Sequence, residues 1–351
     1  DAQFFWEKNK SQNLVKQVSR LKLMNYFKGL GSYFDKIQRM RKLGGMISDE
    51  LSISKDQVEL SVSICKVDLV SDIVGEFPEL QGIMGGYFSE AQGFDKDISL
   101  AVSEHYLPIG VDSKTPKKPF SIALALTDKI DTLVGFFGIN QKPTSSKDPY
   151  ALRRSALGII KLVIENNKEF KIKDLVSYSI SLHRDQNFEL TNESLQKELI
   201  DFLIDRLKYY MKEKQIRADI IEASINSHGI DHMTKIYKKA FILNNEINKQ
   251  IGEDVILTYK RASNILDSEL KNNDLDLSNT TDPGIFKNDY EKKLFKKINE
   301  LRKYFLNINK DENYIESLVN LADAKKVIVE FFDNVKVNDQ EENIKKNRLE
   351  L

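Results

Sequence analysis

The chain has 351 residues, 41% of them apolar, and a chain of that length buries about three quarters of its unfolded surface, so a substantial core in about two domains is expected. Lys and Arg together number 53, as do Asp and Glu, which excludes a global basic field and leaves nucleic-acid contact to local patches. The single cysteine, Cys65, excludes an internal disulfide framework and a multi-thiolate zinc centre and fits a reducing, cytoplasmic setting.

Helical periodicity dominates from one end to the other, and alternation of period two is nearly absent, so the expected class is all-α. The opening Asp1-Ala2-Gln3-Phe4-Phe5-Trp6 has no initiator Met, basic leader or hydrophobic signal core, and reads as cut from something longer. Ser54 with Gln57 three residues on has capping-box spacing, and Val58, Val62, Cys65 and Leu69 then repeat on one face of a helix. Helical patterns follow over about 94–107 and 121–137. Asp148-Pro149 predicts an N-cap followed by proline at the first helical position, with Leu152, Ala156, Ile159 and Val163 as the apolar stripe. The apolar stretch at 159–164, interrupted by Lys161, falls far short of the roughly 20 residues that span a bilayer. Further helices are expected over about 193–213, 231–249, 253–271, 287–306 and 312–336, with exposed loops at 110–119 and 271–284.

Several segments then carry a resemblance in unbroken order. They are the opening hexapeptide, Gly75-Glu76-Phe77-Pro78-Glu79-Leu80-Gln81-Gly82-Ile83-Met84-Gly85, Glu104-His105-Tyr106-Leu107-Pro108, and the run from Asp128 to Gly138 followed by Pro143 to Arg154. Near the end stand Tyr259-Lys260-Arg261-Ala262-Ser263-Asn264-Ile265-Leu266, Glu330 to Val337, and Asn347-Arg348-Leu349. Across essentially its whole length the chain resembles the C-terminal half of the β subunit of bacterial heterotetrameric glycyl-tRNA synthetase; Ser145 stands where that family usually has Gly. The resemblance implies an HD-like helical domain over 1–150, a helical connector over 151–225 and an anticodon-binding (DALR-like) helical bundle over 226–351. It also implies a tRNA-binding part of glycine-tRNA ligase that recognises and positions tRNA(Gly) and is not catalytic alone. By the same resemblance the class II site is expected on the α subunit, in an assembly of two α and two β subunits. The resemblance implies ATP and Mg for that α subunit, and no cofactor is expected on this stretch.

The rival enzymatic reading is an HD-type metal-dependent phosphohydrolase, which needs imidazoles and carboxylates to hold a water-activating metal. By analogy with HD proteins the first ligand helix, Tyr33 to Gly44, has no His and the dyad position reads Val67-Asp68, leaving Asp68 and Asp128 as survivors. They are expected to be surface acids or buried partners of Lys and Arg, with Lys129 and its neighbours pairing Asp128 and Asp131. His105 is expected as a packed structural residue, Cys65 as a small hydrophobe, and His228 with His232 lacks a third ligand. No phosphate loop of the Walker type is present. For tRNA contact the residues singled out are Arg153, Arg154, Lys235, Lys238, Lys239, Lys260, Arg261 and Asn264, since cations meet phosphates and an amide can read an unstacked base. Lys260 and Asn264 share a helix face by their spacing, with Ala262, Ile265 and Leu266 on the packed side. Phe331 and Phe332 are both expected in the core.

Overall fold

A computed structural model describes residues 2–226, 229–272, 280–307 and 313–351. The chain is all-α, and the strands among the described residues are one short antiparallel pair, Asn25–Phe27 with Gly31–Ser32. It forms two compact units, Asp1–Tyr237 and Lys238–Leu351, the division falling inside the helix Met233–Glu246.

The first unit is organised by the helix Pro119–Gly138, whose sequence is apolar nearly all round and which is accordingly buried on nearly every side. Against it pack the helices Tyr33–Leu51, Lys55–Ile64, Lys96–Glu104, Leu152–Ile164, Ile172–Asp185 and Leu195–Glu213. Ser32 and Asp35 start the first of these with a reciprocal capping box. Ser54 caps the second as its spacing predicts, and Val58, Val62 and Cys65 are fully buried. That helix ends at Ile64, however, and Leu69 lies in a separate 3-10 turn, Val67–Val70, half-buried. Asp68 is wholly buried in that turn.

The Asp148-Pro149 expectation is corrected in a similar way. The helix begins at Leu152 and the cap position belongs to Ala151, in the left-handed region at φ 55°. Asp148 nevertheless does the capping, its carboxylate accepting from the amides of Leu152 and Arg153 at 2.8 and 3.0 Å. Its reach across an intervening turn is what the dipeptide pattern misjudges by three residues.

The second unit contains the helices Gln250–Asn272, Asp289–Asn307, Tyr314–Ala322, Ala324–Asn334 and Glu342–Glu350 around Leu294, Phe331, Val335 and Val337. The single helix expected over 312–336 is two, meeting at Asp323; the former packs chiefly on Gln250–Asn272 and the latter on Asp289–Asn307. Arg348 closes the bundle, buried, with Nε on Glu291 at 2.7 Å and Nη1 on Asp339 at 2.6 Å.

Candidate functional site

Two places concentrate chemistry: a buried charge cluster in the first unit and an exposed basic helix face in the second. The cluster grows from complementary spacing on two helices, Lys36 and Arg39 on one and Asp128 and Asp131 on the other, each pair three apart. Asp131, with no exposure, takes Arg39 Nε and Nη2 at 2.7 and 3.1 Å in a fork and Lys36 Nζ at 3.1 Å. Asp128 Oδ1 lies 3.2 Å from Lys36 Nζ and 3.1 Å from Lys66 Nζ. Lys36 stands over the Tyr26 ring and Lys66 over the Tyr106 ring, at 4.6 and 3.8 Å.

Burial opposes charge on both carboxyls, yet Lys36 and Lys66 hold Asp128, and Arg39 and Lys36 hold Asp131, far below the usual carboxylate range. On Lys36 burial acts against the charge as well, but Asp128, Tyr26 and Asp131 raise its pKa well above the ordinary value. The charges are therefore fixed. Of the partners expected for Asp128 and Asp131, Lys129 and nearby lysines, Lys129 is corrected: residues one and two apart on a helix point about 100° and about 200° away from one another, and the ion pairs go to Lys36, Lys66 and Arg39. Lys129 Nζ donates to the carbonyl of Tyr106 at 2.9 Å instead. The signal that could have found the true partners was the matching three-residue spacing of Lys36 and Arg39.

Asp68 has a different role. Its Oδ2 accepts from the amides of Gly82 and Gly85 at 2.5 and 3.1 Å, anchoring the start of the helix Ile83–Ala91, and burial pushes its carboxyl up to about 6 against those hydrogen bonds. Gly82 needs its φ of 81° for this turn, and a Cβ at Gly86 would meet Ser103 Cβ at 2.5 Å, so the glycines let two helices approach closely rather than cradle a phosphate. His105 is wholly buried, with Nδ1 2.6 Å from the carbonyl of Val102, and burial beside Lys66 holds it down to about 3. Burial likewise holds His183 down to about 4, its Nε2 lying 3.7 Å from Asp131. Burial pushes the Cys65 thiol up to about 12.

These donors do not fit a divalent metal. The Asp128 carboxylate is met by two ammonium groups, Asp68 by two amides, and no cluster of three His, Cys, Asp or Glu suited to a metal occurs among the described residues. His232 lies 3.8 Å from Glu169, and His228 lies outside the described residues.

The residues singled out for tRNA fall into separate places. In the first unit, Arg154 is exposed in the first turn of its helix, while Arg153, half-buried, donates to the carbonyl of Thr144. On the helix Met233–Glu246, Lys235 belongs to the first unit and Lys238 and Lys239 to the second; of the three Lys238 is exposed and the others half-buried. In the second unit Lys260 and Asn264 are both exposed on the helix Gln250–Asn272, as their shared face requires. Arg261 is engaged internally, paired with Asp333 at 2.7 Å and lying 5.2 Å from the centre of the Phe332 ring. Ile265 packs on the bundle core, and Ala262, expected on that side, is exposed because it sits at the rim of a cleft that Ile265 and Leu266 also line. Phe331 is core, whereas Phe332 is half-buried beneath Arg261. Tyr259, 70% exposed beside Lys260, is an aromatic face that the sequence reading passed over.

Residues 1–226 match the family model described as the glycyl-tRNA synthetase beta subunit, and residues 255–351 match the DALR anticodon binding domain. Fold and matches together define a helical component of an aminoacyl-tRNA synthetase. More narrowly, the chain belongs to the glycyl-tRNA synthetase beta subunit family. It is 35% identical to the glycine–tRNA ligase beta subunit of Rickettsia conorii, 34% to that of Rickettsia prowazekii and 34% to that of Cereibacter sphaeroides. Each alignment covers 100% of this chain but 50%, 50% and 51% of those relatives, so the chain spans about half their length.

Proposed function

We propose that this chain is the tRNA-handling part of a glycine–tRNA ligase, the second unit reading the anticodon loop of tRNA(Gly) while aminoacylation proceeds on a separate α subunit that holds ATP and Mg. The observation that carries the reading is the anticodon-binding match over 255–351 on a unit whose helix exposes Lys260 and Asn264 side by side, with Tyr259 next to them. An ammonium neutralises a phosphate, an amide offers the donor and acceptor needed by a base edge, and a phenol ring gives a splayed base a surface to stack on. Arg154 and Lys238, both exposed, supply further phosphate contacts, with Arg153 next to the former, Lys235 and Lys239 on the helix of the latter, and Arg261 next to Lys260. The chain itself performs no chemistry in this reading, and it works in the cytoplasm within an assembly of two α and two β subunits. Among the described residues no helix is long and apolar enough to cross a membrane.

The test is electrophoretic binding of tRNA(Gly) with its natural anticodon and with a substituted one. Tighter binding of the natural form is expected, and equal binding of both removes the anticodon reading.

A further inference from the structure

A cavity of about 380 Å³ opens in the first unit between the helices Pro119–Gly138 and Leu152–Ile164, with Tyr106, Ile109 and Gln81 on its other walls. That volume lies within the range of about 300 to 1,000 Å³ typical of small-molecule sites. Four charged residues line it: Lys129, Arg154, Asp128 and Glu79. They are not equivalent. Asp128 already answers two lysines, Lys36 and Lys66, behind the cavity wall, and Glu79 is exposed. Lys129 is 5% exposed and makes no ion pair among the described residues; it donates to the neutral carbonyl of Tyr106. Arg154 is exposed at the rim and has no carboxylate partner among the described residues. A buried ammonium on a cavity wall whose nearest carboxylate, Asp128, is already shared between two other lysines is an under-compensated arrangement that an anion would complete. Burial, with Lys66 and Lys36 nearby, holds Lys129 down to about 8, Asp128 pulling the other way.

We propose that this cavity is a binding site for a phosphate monoester, held between the Lys129 ammonium and the Arg154 guanidinium with the Gln81 amide at its edge. A dianion with several acceptor oxygens suits two separate cations, one a point charge and one a planar fork, better than a single carboxylate does. The amides of Leu152 and Arg153 do not contribute, because Asp148 already takes them. Gly158 keeps Lys129 in place: a methyl group there would run into the Lys129 chain and approach the carbonyl of Pro108 to 3.3 Å.

Two carriers of such a group are a free nucleoside monophosphate and the 5′-phosphorylated end of a tRNA. Calorimetry of the purified chain with inorganic phosphate and with AMP tests the first; mobility shifts of tRNA with its 5′-phosphate intact or enzymatically removed test the second. Binding in at least one arm is expected, weakened about tenfold or more in Arg154→Ala, whose exposed position keeps the fold intact. Lys129→Met should weaken it similarly, with melting temperature recorded alongside. If the tRNA end is the ligand, removing its phosphate weakens binding to the native chain and not to Arg154→Ala. The proposal is overturned if phosphate and AMP both fail to bind and the two tRNA forms bind equally, or if Arg154→Ala changes nothing. Failure to bind tRNA in any form, with AMP still bound, would instead remove the tRNA reading and leave this site standing.

Discussion

Substituting Asp131 by Ala isolates the energetic role of the buried cluster. Lys36 would keep Asp128 at 3.2 Å and Thr132 Oγ1 at 2.9 Å, so its charge stays answered. Arg39 would not. Its remaining acceptors are neutral, Gln186 Oε1 at 2.8 Å and the Leu30 carbonyl at 3.5 Å, and its side chain is 1% exposed. One buried guanidinium is thus left without a counter-charge, a loss of about 3 to 5 kcal/mol. Against a typical domain stability of about 5 to 15 kcal/mol, that removes about a fifth or more of what holds the first unit folded. Urea unfolding followed by circular dichroism reads the change as a shifted midpoint at unchanged slope. The double variant Arg39→Met with Asp131→Leu removes both charges together and should recover most of the loss, because no uncompensated ion remains. A single-variant cost under about 1 kcal/mol, or a double variant no more stable than the single, would refute the assignment of Arg39 and Asp131 as an obligate pair.

The pH dependence has a definite sign. His105 and His183 sit at about 3 and 4 when folded, so their stabilising contribution is complete above the unfolded value of 6.5 and is lost as pH falls toward 4. Asp68, at about 6 when folded against 3.8, works the opposite way between those limits, so from these three groups stability should fall by about 1.4 kcal/mol per pH unit between pH 6 and 4. Asp68→Asn keeps an acceptor for Gly82 and Gly85 while removing a charge that burial disfavours. It should raise stability at pH 7 by about 1 to 3 kcal/mol and steepen the acid loss, and a strongly destabilised variant would show that the ionised carboxylate is required. Lys260→Ala should weaken binding to all tRNAs alike and lower the salt slope by about 1, whereas Asn264→Ala should erode anticodon discrimination by about 1 to 3 kcal/mol. Unchanged affinity in both variants would take this helix out of the interface. Incubation with ATP, glycine and tRNA should yield no glycyl-tRNA from this chain alone, and product formed by it would contradict the division of labour proposed.

The helices were legible wherever an apolar stripe ran to a clear cap, as from Ser54 through Val58 and Val62. Legibility failed where a side chain acts from outside its own element. Asp148 caps a helix that starts at Leu152, and Asp68 lies in a 3-10 turn shaped by amides at Gly82 and Gly85. The same limit hid the charge cluster: Lys36, Lys66 and Asp128 are far apart in the chain, and each alone reads as a solvated residue in a highly charged sequence. In the second unit the shared face of Lys260 and Asn264 followed from helical spacing, but the capture of Arg261 by Asp333 depends on a helix that arrives much later.

The two ammonium groups converging on Asp128 mean that the positive charge at the centre of the first unit is covalently attached. An ion can be chelated, exchanged for a competitor or lost when its supply runs low. A lysine side chain arrives with translation and stays. Dialysis against a chelator is therefore expected to leave the melting curve of this unit where it was, and a lowered melting temperature would show that a bound ion supports it after all.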